Sequence, residues 1–472
     1  MNKGGDGMKG IISYGAYIPY NRLQRQKIKE FFESSASGGE RAVAGFDEDS
    51  VSMGVEAALD CLSELKEKSI QSLYFATTSA PYKEKSSLPT ISRALQLKSG
   101  LRGLESAHSL NGGSSSILSA HEHEETLVIA SDIRIGGPSG QNEQFFGDGA
   151  AAFLIGNGEQ VIAEIIGGAS YQEEVISEWR SQSDPFTQNW EERFGLTIFM
   201  NHVWKALTNF TEIHDISPHS ISKAVISGPG KKANLQLANK LGLKKEQIQD
   251  PLYDQVGAAG CAHAPMMLVS ALEEAKPKDR ILVIDFAEGV NIILFEVTEA
   301  ITKLPKRKGI SGYLDIKNND LSYSRYLKWR GMLGVEPPRR PATSRPSAPA
   351  MFRNYEQNLS LIGSKCLKCG TPQFPKQRVC AECQALDQTE PYSFMDKQAA
   401  IVTYAVDYLA ATPAPPVMMT VIDFEEGGRI FSELTDCDPK EIEIGMGVEM
   451  TFRRLYQAGG IHNYFWKARL KR

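Results

Sequence analysis

Four cysteines stand in two Cys-x-x-Cys pairs, Cys366/Cys369 and Cys380/Cys383, with ten residues between the pairs. Two such knuckles bring four thiolates within bonding distance of one tetrahedral ion, and Gly370 behind the first supplies the permissive backbone that the turn needs. The spacing predicts a closed Zn2+ site. Iron is the competing metal for four soft thiolates, and a pair of redox or accidental motifs is the metal-free reading. Four protein ligands leave no open position for water, so the predicted role lies in folding and not in catalysis.

A second group could do acid, base or nucleophilic work. In GAAGCAHAP, Cys261 and His263 sit two apart at a Gly/Ala-rich helix start, where a helix N-terminus and an imidazole would stabilise a thiolate. The plainer reading is a small buried cysteine packing a close helix crossing. Tyr253, four residues before Gly257, could reach the same cavity as a phenolic acid or base, or could be core. Lys231 and Lys232 form a cationic pair able to meet phosphates, or simply a solvated face. His202 in NHVWKAL lies on an apolar helix face and reads as structural. Asp148, in Gly147-Asp148-Gly149, reads as the turn residue of a hairpin, because Asp-Gly favours tight turns. SLNGGSSS lacks both the lysine of a P-loop and the spacing of a dinucleotide fingerprint.

The elements that must position these groups follow from pattern and composition. With 472 residues, 42% of them hydrophobic and 23% charged, the chain has room for two or three packed domains. A net charge of -5 supplies no general positive field for a polyanion, so nucleic acid is not an expected partner. Without a long apolar run or a signal-like start, neither membrane insertion nor secretion is expected, and the predicted location is cytoplasmic. Seven cysteines in so long a chain are not a disulfide framework.

Over the first three hundred residues, short apolar runs alternate with helical patterns, which predicts α/β layers with strands covered on both faces. The clearest strands are 72–79, 126–132, 150–156, 223–230, 280–286 and 291–297, and the clearest helices are 51–65 and 198–210. The two halves repeat. Gly147-Asp148-Gly149 before AAAFLIG has its counterpart in Ala287-Glu288-Gly289 before NIILFEV, a period of about 140 residues that suggests two fused copies of one α/β unit. After residue 303 the chain turns basic and proline-rich. LSYSRYLKWRGML (321–333) could form one amphipathic helix, and VEPPRRPATSRPSAPA (335–350) cannot continue it. Beyond the cysteine knuckles, candidate strands at 399–409, 416–424, 429–436 and 447–456 predict a small antiparallel barrel.

GIISYGAYIPYNRL (10–23), DEDSVSMGVEAAL (47–59), EQFFGDGAAAFLIG (143–156) and DQVGAAGCAHAPMMLVSALEEA (254–275) resemble the 3-hydroxy-3-methylglutaryl-CoA synthase branch of the thiolase superfamily. KCLKCGTPQFPKQRVCAECQ and LTDCDPKEIEIGMGVEM resemble the zinc-ribbon and OB-fold proteins that accompany thiolases and acyl-CoA synthases. The resemblance implies a duplicated, five-layered αβαβα thiolase-like fold at 8–303, a linker at 304–352, a rubredoxin-like zinc ribbon at 353–390 and an OB-fold barrel at 391–472. It also implies an acyl-CoA thioester as substrate, a homodimer, and a thiolase or a dehydrogenase/hydratase as pathway partner. By the same resemblance Lys232, with Lys231 beside it, falls where the synthases place a lysine toward the CoA phosphates.

The family's catalytic groups do not carry over. The cysteine nucleophile falls at Leu110 in SAHSLNGGSSSIL (106–118), the histidine at Ser227, the asparagine at Ala258 and the glutamate base at Thr78. Nucleophile, acid, base and oxyanion donor have all changed together. Three readings stand at this point. The first is carbon–carbon bond cleavage or formation beside a thioester without an acyl-cysteine, as in a retro-aldol reaction of a β-hydroxyacyl-CoA. The second is a non-catalytic acyl-CoA-binding scaffold. The third is acyl transfer with Cys261 as a displaced nucleophile and His263 as its base, whereas Tyr253 or His263 are the candidate groups for the retro-aldol reading.

Overall fold

A computed structural model describes residues 7–472 apart from 36–37, 66–69, 124, 182, 337–338 and 340–346. Most of the proline-rich stretch expected to break the linker therefore lies outside the described residues. Two compact units emerge: 1–44, 49–88 and 98–321 form the first, and 45–48, 89–97 and 322–472 the second.

The first unit is built on a nine-stranded mixed sheet. Its strands run in the order Lys223–Ser227, Arg280–Phe286, Gly289–Val297, Ala163–Gln172, Lys9–Tyr17, Gly149–Asn157, Thr126–Asp132, Ser72–Thr77 and Arg102–Ala107. The two halves have matching connectivity. Thr126–Asp132 is parallel to Ser72–Thr77 and antiparallel to Gly149–Asn157, just as Arg280–Phe286 is parallel to Lys223–Ser227 and antiparallel to Gly289–Val297. The outermost strand of the first half, Arg102–Ala107, is answered in the second by a single parallel bridge from Ala224 to Ile248. The halves meet where Gly10 and Ile11 pair with Glu164 and Ala163.

Strands such as RILVIDF carry apolar side chains toward both faces because both faces are covered. Helices Gly112–Ala120 and His263–Glu274 each pack on strands of both halves, which makes them the middle layer. Gly113 permits their crossing: a Cβ there would lie 2.3 Å from the Cys261 carbonyl oxygen. On the outside of the first half lies Ser50–Leu62, opened by a capping box in which Asp49 accepts from the Ser52 amide and Ser52 Oγ from the Asp49 amide. Outside the second half lie Glu192–Thr211 and Lys231–Lys240. Phe199, Val203 and Leu207 of the former fill a core with Leu237, Ile284 and Ile292. The unit closes with the helix Gly309–Asp315, whose entry is fixed by Asp60 accepting the amides of Lys308 (2.8 Å) and Gly309 (2.9 Å).

One expectation is corrected. The strands Thr126–Asp132 and Gly149–Asn157 are joined not by a tight Gly-Asp-Gly hairpin but by the long segment 133–148, which includes the helix Gln141–Phe145. Asp148 is therefore not a turn residue. Only the second copy, Ala287-Glu288-Gly289, makes the short connection, closed by Ala287 N–H donating to Gly289 O.

In the second unit, the helix Tyr323–Trp329 falls within the predicted amphipathic stretch. Ile362–Cys366, Pro372–Gln373 and Thr389–Ser393 form the three-stranded ribbon. The barrel is closed by five strands, Ala399–Asp407, Val417–Phe424, Arg429–Thr435, Gly447–Ala458 and Ile461–Leu470. Sequence reading missed the last of these. Its signal was Gly459-Gly460, both in the left-handed region, which turns the hairpin and buries Trp466 against Phe452.

Candidate active site

The strand Arg102–Ala107 leads into the helix Gly112–Ala120 through His108, Ser109, Leu110 and Asn111. His108 takes a φ of 73°, a left-handed conformation that costs a non-glycine residue free energy and that tends to persist where function requires it. Directly in front of this turn is a cavity of about 120 Å3. Thr78, His108, Leu110, Ile133, Arg134, Ile135 and Glu288 line it from the layered core, Glu178 and Trp179 from the small two-stranded sheet formed by Glu178–Trp179 and Gln188–Asn189, and Arg180 and Thr187 from the residues next to its strands. Among the described residues, no thiol lines this cavity.

Its polar groups fall into two kinds. Some are saturated and build the walls. Asp132 Oδ1 accepts from the Thr78 amide (2.6 Å) and the hydroxyls of Thr77 and Ser79, while Oδ2 accepts from Thr78 Oγ1 (3.0 Å) and the Cys261 amide (2.9 Å). Arg134 is buried, lies with its guanidinium 4.4 Å from the Phe146 ring centre, and pairs with Glu178. Glu288 is of the other kind. Half-buried, it accepts at long range from the Leu110 amide (3.4 Å) and shares with Asn111 Oδ1 (2.7 Å) the one proton of Ser109 Oγ, which lies 3.2 Å away. Behind it, burial pushes Asp285 up to about 6, against hydrogen bonds from Ser114 and Ser227 that lower it and with the nearby Glu288 charge adding to the rise.

The residues singled out from sequence are placed as follows. Tyr253 and His263 are buried and stack with ring centres 4.8 Å apart and planes 6° apart. Tyr253 Oη donates to Gly228 O (3.2 Å) and accepts from Asn234 Nδ2 (3.3 Å), and burial raises its pKa. His263 Nδ1 accepts from the Ala259 amide (3.4 Å), and burial lowers its pKa to about 4, which keeps the ring neutral. Cys261 is fully buried. Burial and the Asp132 carboxylate push its thiol well above the usual range, the reverse of what activates a nucleophile. None of these three lines the cavity. Lys231 and Lys232 are exposed on the first turn of Lys231–Lys240, with Lys231 Nζ 2.8 Å from Asp254 Oδ2. His202 is buried beside Glu173 and Phe286, in keeping with a packing role.

Sequence reading missed His108, Arg134, Glu178 and Glu288. The signal for Glu288 was present in the repeat: it is the acidic residue of the second Ala/Gly-acid-Gly segment. Arg134 and Glu178 meet only through the fold.

Comparison with known proteins decides the family. The hydroxymethylglutaryl-CoA synthase of Pyrococcus furiosus is 30% identical over 301 residues, which span 61% of this chain and 85% of that protein. The chain belongs to the hydroxymethylglutaryl-CoA synthase family. The synthase of Methanopyrus kandleri is 27% identical over 343 residues, 69% of this chain and 97% of the relative. Among solved structures, an HMG-CoA synthase complexed with CoA superposes with a TM-score of 0.61 at 17% identity, covering 68% of this chain and 90% of that one. PksG, an HMG-CoA synthase from Bacillus subtilis, gives 0.60 at 20% identity, covering 69% and 89%. These likenesses establish the thiolase-like fold of the first unit. Within this synthase family member, Thr78 and Leu110 do line the cavity, Ser227 is hydrogen-bonded to Asp285, and Ala258 bridges to Phe146.

The second unit matches two further families: residues 356–387 the rubredoxin-like zinc ribbon domain of ChsH2, and residues 393–453 its C-terminal OB-fold domain. Its four cysteine sulfurs all lie within 4.8 Å of one another, with Cys366 to Cys383 at 3.7 Å and Cys369 to Cys380 at 3.5 Å. A tetrahedral Zn–S length of about 2.3 Å needs sulfurs roughly 3.8 Å apart, so the donor set fits zinc. The knuckles are alike: the Gly370 amide donates to Cys366 O and the Gln384 amide to Cys380 O, and both residues take positive φ.

Among the described residues, no helix is long and apolar enough to cross a membrane.

Proposed function

We propose that the first unit makes or breaks a carbon–carbon bond beside an acyl-CoA thioester without a cysteine acyl-enzyme, most simply by retro-aldol cleavage of a β-hydroxyacyl-CoA or the reverse aldol addition. The carrying observation is the turn at 108–111. It opens on a cavity holding an imidazole, two guanidiniums and two carboxylates but, among the described residues, no thiol, while Cys261 is sealed in the core with its thiol held protonated. The family relationship supports a thioester substrate, and a CoA-bound structure shares the fold. Retro-aldol chemistry asks for little beyond what lines this cavity: a base for the β-hydroxyl proton, and a positive group to stabilise the thioester enolate left when the Cα–Cβ bond breaks. Arg134, paired with Glu178, and Arg180 are the cations lining the cavity, and Arg134 is the more deeply held of the two.

In this reading Lys231 and Lys232 meet the CoA phosphates, and the chain works as a homodimer. Cys366, Cys369, Cys380 and Cys383 hold one zinc ion, which when bound crosslinks the ribbon and contributes folding free energy.

Incubation with a mass-tagged acyl-CoA, acid quenching and peptide mapping tests the reaction. The expected result is no label on any cysteine, with cleavage of a β-hydroxyacyl-CoA to a carbonyl compound and a shorter thioester. Label on Cys261 would establish acyl transfer instead, and thioester binding without labelling or cleavage would leave a scaffold. The metal site is tested separately. Cys366→Ser should lose most of the stoichiometric zinc and lower the melting of the second unit, while the first unit keeps its transition. Full zinc retention in that variant overturns the ligand assignment.

A further inference from the structure

We infer that Glu288 is the general base of the cleavage step, an assignment that rests on the retro-aldol reading above. Four carboxylates lie at or behind the cavity wall, and three are committed elsewhere. Asp132 is saturated by amides and hydroxyls, Glu178 is paired with Arg134, and Asp285 is buried behind the wall against Ser114. Of the two that line the cavity, Glu178 and Glu288, only Glu288 forms no ion pair among the described residues, and it is half-buried. Its two contacts, to Ser109 Oγ at 3.2 Å and the Leu110 amide at 3.4 Å, are long enough for a substrate hydroxyl to replace them. They also place the carboxylate over the turn where the family carries its nucleophile.

The step balances with this one group. The Glu288 carboxylate takes the β-hydroxyl proton, the oxygen's electron pair forms the new carbonyl, and the Cα–Cβ bond breaks. Its electrons move onto the thioester carbonyl as an enolate facing Arg134. Protonated Glu288 then returns the proton to Cα, which releases the shorter acyl-CoA and regenerates the base. In the aldol direction the same carboxylate removes the Cα proton and later protonates the alkoxide.

The charged and titratable groups facing Glu288 are His108 on its own side of the cavity, Arg134 with Glu178 and Arg180 across it, and Asp285 behind. The kinetic test is therefore made as a pH profile of purified full-length protein acting on a β-hydroxyacyl-CoA. Glu288→Gln should lower kcat by about 10²- to 10⁴-fold, leave KM within about threefold, and abolish the acid limb of the profile. Glu288→Asp should retain part of the rate with the limb present. Ser109→Ala, which removes a contact but not the base, should keep the limb and most of kcat. An acid limb that survives in Glu288→Gln would assign it to His108 and overturn the proposal. So would equal losses of kcat in Glu288→Gln and Ser109→Ala with unshifted profiles, because Glu288 would then only hold the turn. Should the wild-type protein bind thioesters yet cleave none, the retro-aldol reading itself fails and this role falls with it. Cleavage by wild type at a rate that Glu288→Gln matches would remove the role of Glu288 alone.

Discussion

Asp148 and Glu288 occupy equivalent places in the two halves of the first unit, each immediately before the glycine that opens an antiparallel strand, yet their surroundings are opposite. Asp148 is fully buried. It accepts from the amides of Ala44 (2.7 Å) and Arg134 (2.9 Å) and faces the buried Arg41 guanidinium at 3.9 Å. Glu288 stands at the cavity with two long contacts. The segments packed on each acid differ. The long excursion 133–148 brings the Arg134 amide to Asp148, and the segment 41–44 brings the Ala44 amide and the Arg41 guanidinium, whereas the short 287–289 turn leaves Glu288 half-buried at the cavity. A duplicated scaffold thus offers a carboxylate at the same place twice, and what folds against it decides whether it is saturated or left at a cavity.

The comparison predicts unequal costs for the same chemical change. Asp148→Asn removes the charge opposite Arg41 and should lower stability by about 3–5 kcal/mol, as breaking one side of a buried ion pair does. Glu288→Gln, at a half-exposed position, should change it by less than about 1 kcal/mol. Urea unfolding of the two variants measures both, and a larger loss in Glu288→Gln would invert the assignment of building and working carboxylate.

The same pair shows what was legible before the fold was known. The α/β alternation and the barrel are patterns of apolar period and turn residues, the duplication shows only when 147–156 is set beside 287–297, the layer order came with the family resemblance, and the clustering of the four cysteines follows from their spacing. The departures at Leu110, Ser227, Ala258 and Thr78 were equally visible. The surroundings of Asp148 and Glu288 could not be read, because Asp-Gly and Glu-Gly look alike and their difference lies in the distant segments 41–44 and 133–148 that fold against Asp148. Cys261 and His263 drew attention for their chemistry at a helix start. Gly113 brings the helices so close that both side chains are sealed from the cavity, a consequence of packing across about 150 residues of sequence.

A third carboxylate sharpens the contrast through pH. Asp285 lies three residues before Glu288 but points into the core, and its pKa is raised to about 6 chiefly by burial. In the unfolded chain it loses its proton near 4, so between those values only the native state keeps it. Its contribution to stability is fully present below about pH 4 and is lost as the pH rises through 6, on the order of 3 kcal/mol in all. Glu273, raised to about 7, acts in the same direction, while His263, lowered to about 4, acts oppositely and weakens the fold as the pH falls below 6.5. Those two remain in Asp285→Asn, so the difference between wild-type and variant unfolding free energies isolates Asp285. It should fall steadily from pH 4 to pH 6, and a flat difference would show that the carboxyl ionises normally in the fold.

The smallest effect joins the two neighbours. The charge on Glu288 adds to the rise at Asp285, but it ranks below burial and below the two serine hydrogen bonds. Glu288→Gln should therefore move the Asp285 transition downward without abolishing it, by about a few tenths of a pH unit, since water at the cavity mouth screens an exposed charge while burial remains. Asp148→Asn, whose carboxylate sits in the other half, should not move it. The decisive readout is the pH midpoint of the difference curve, taken with Asp285→Asn in the wild-type and the Glu288→Gln backgrounds. A downward shift shows that the Glu288 charge is felt at Asp285 through the cavity wall, so the two neighbours act on one another. An unmoved midpoint means that solvent screens that charge, and the rise at Asp285 is then the work of burial alone.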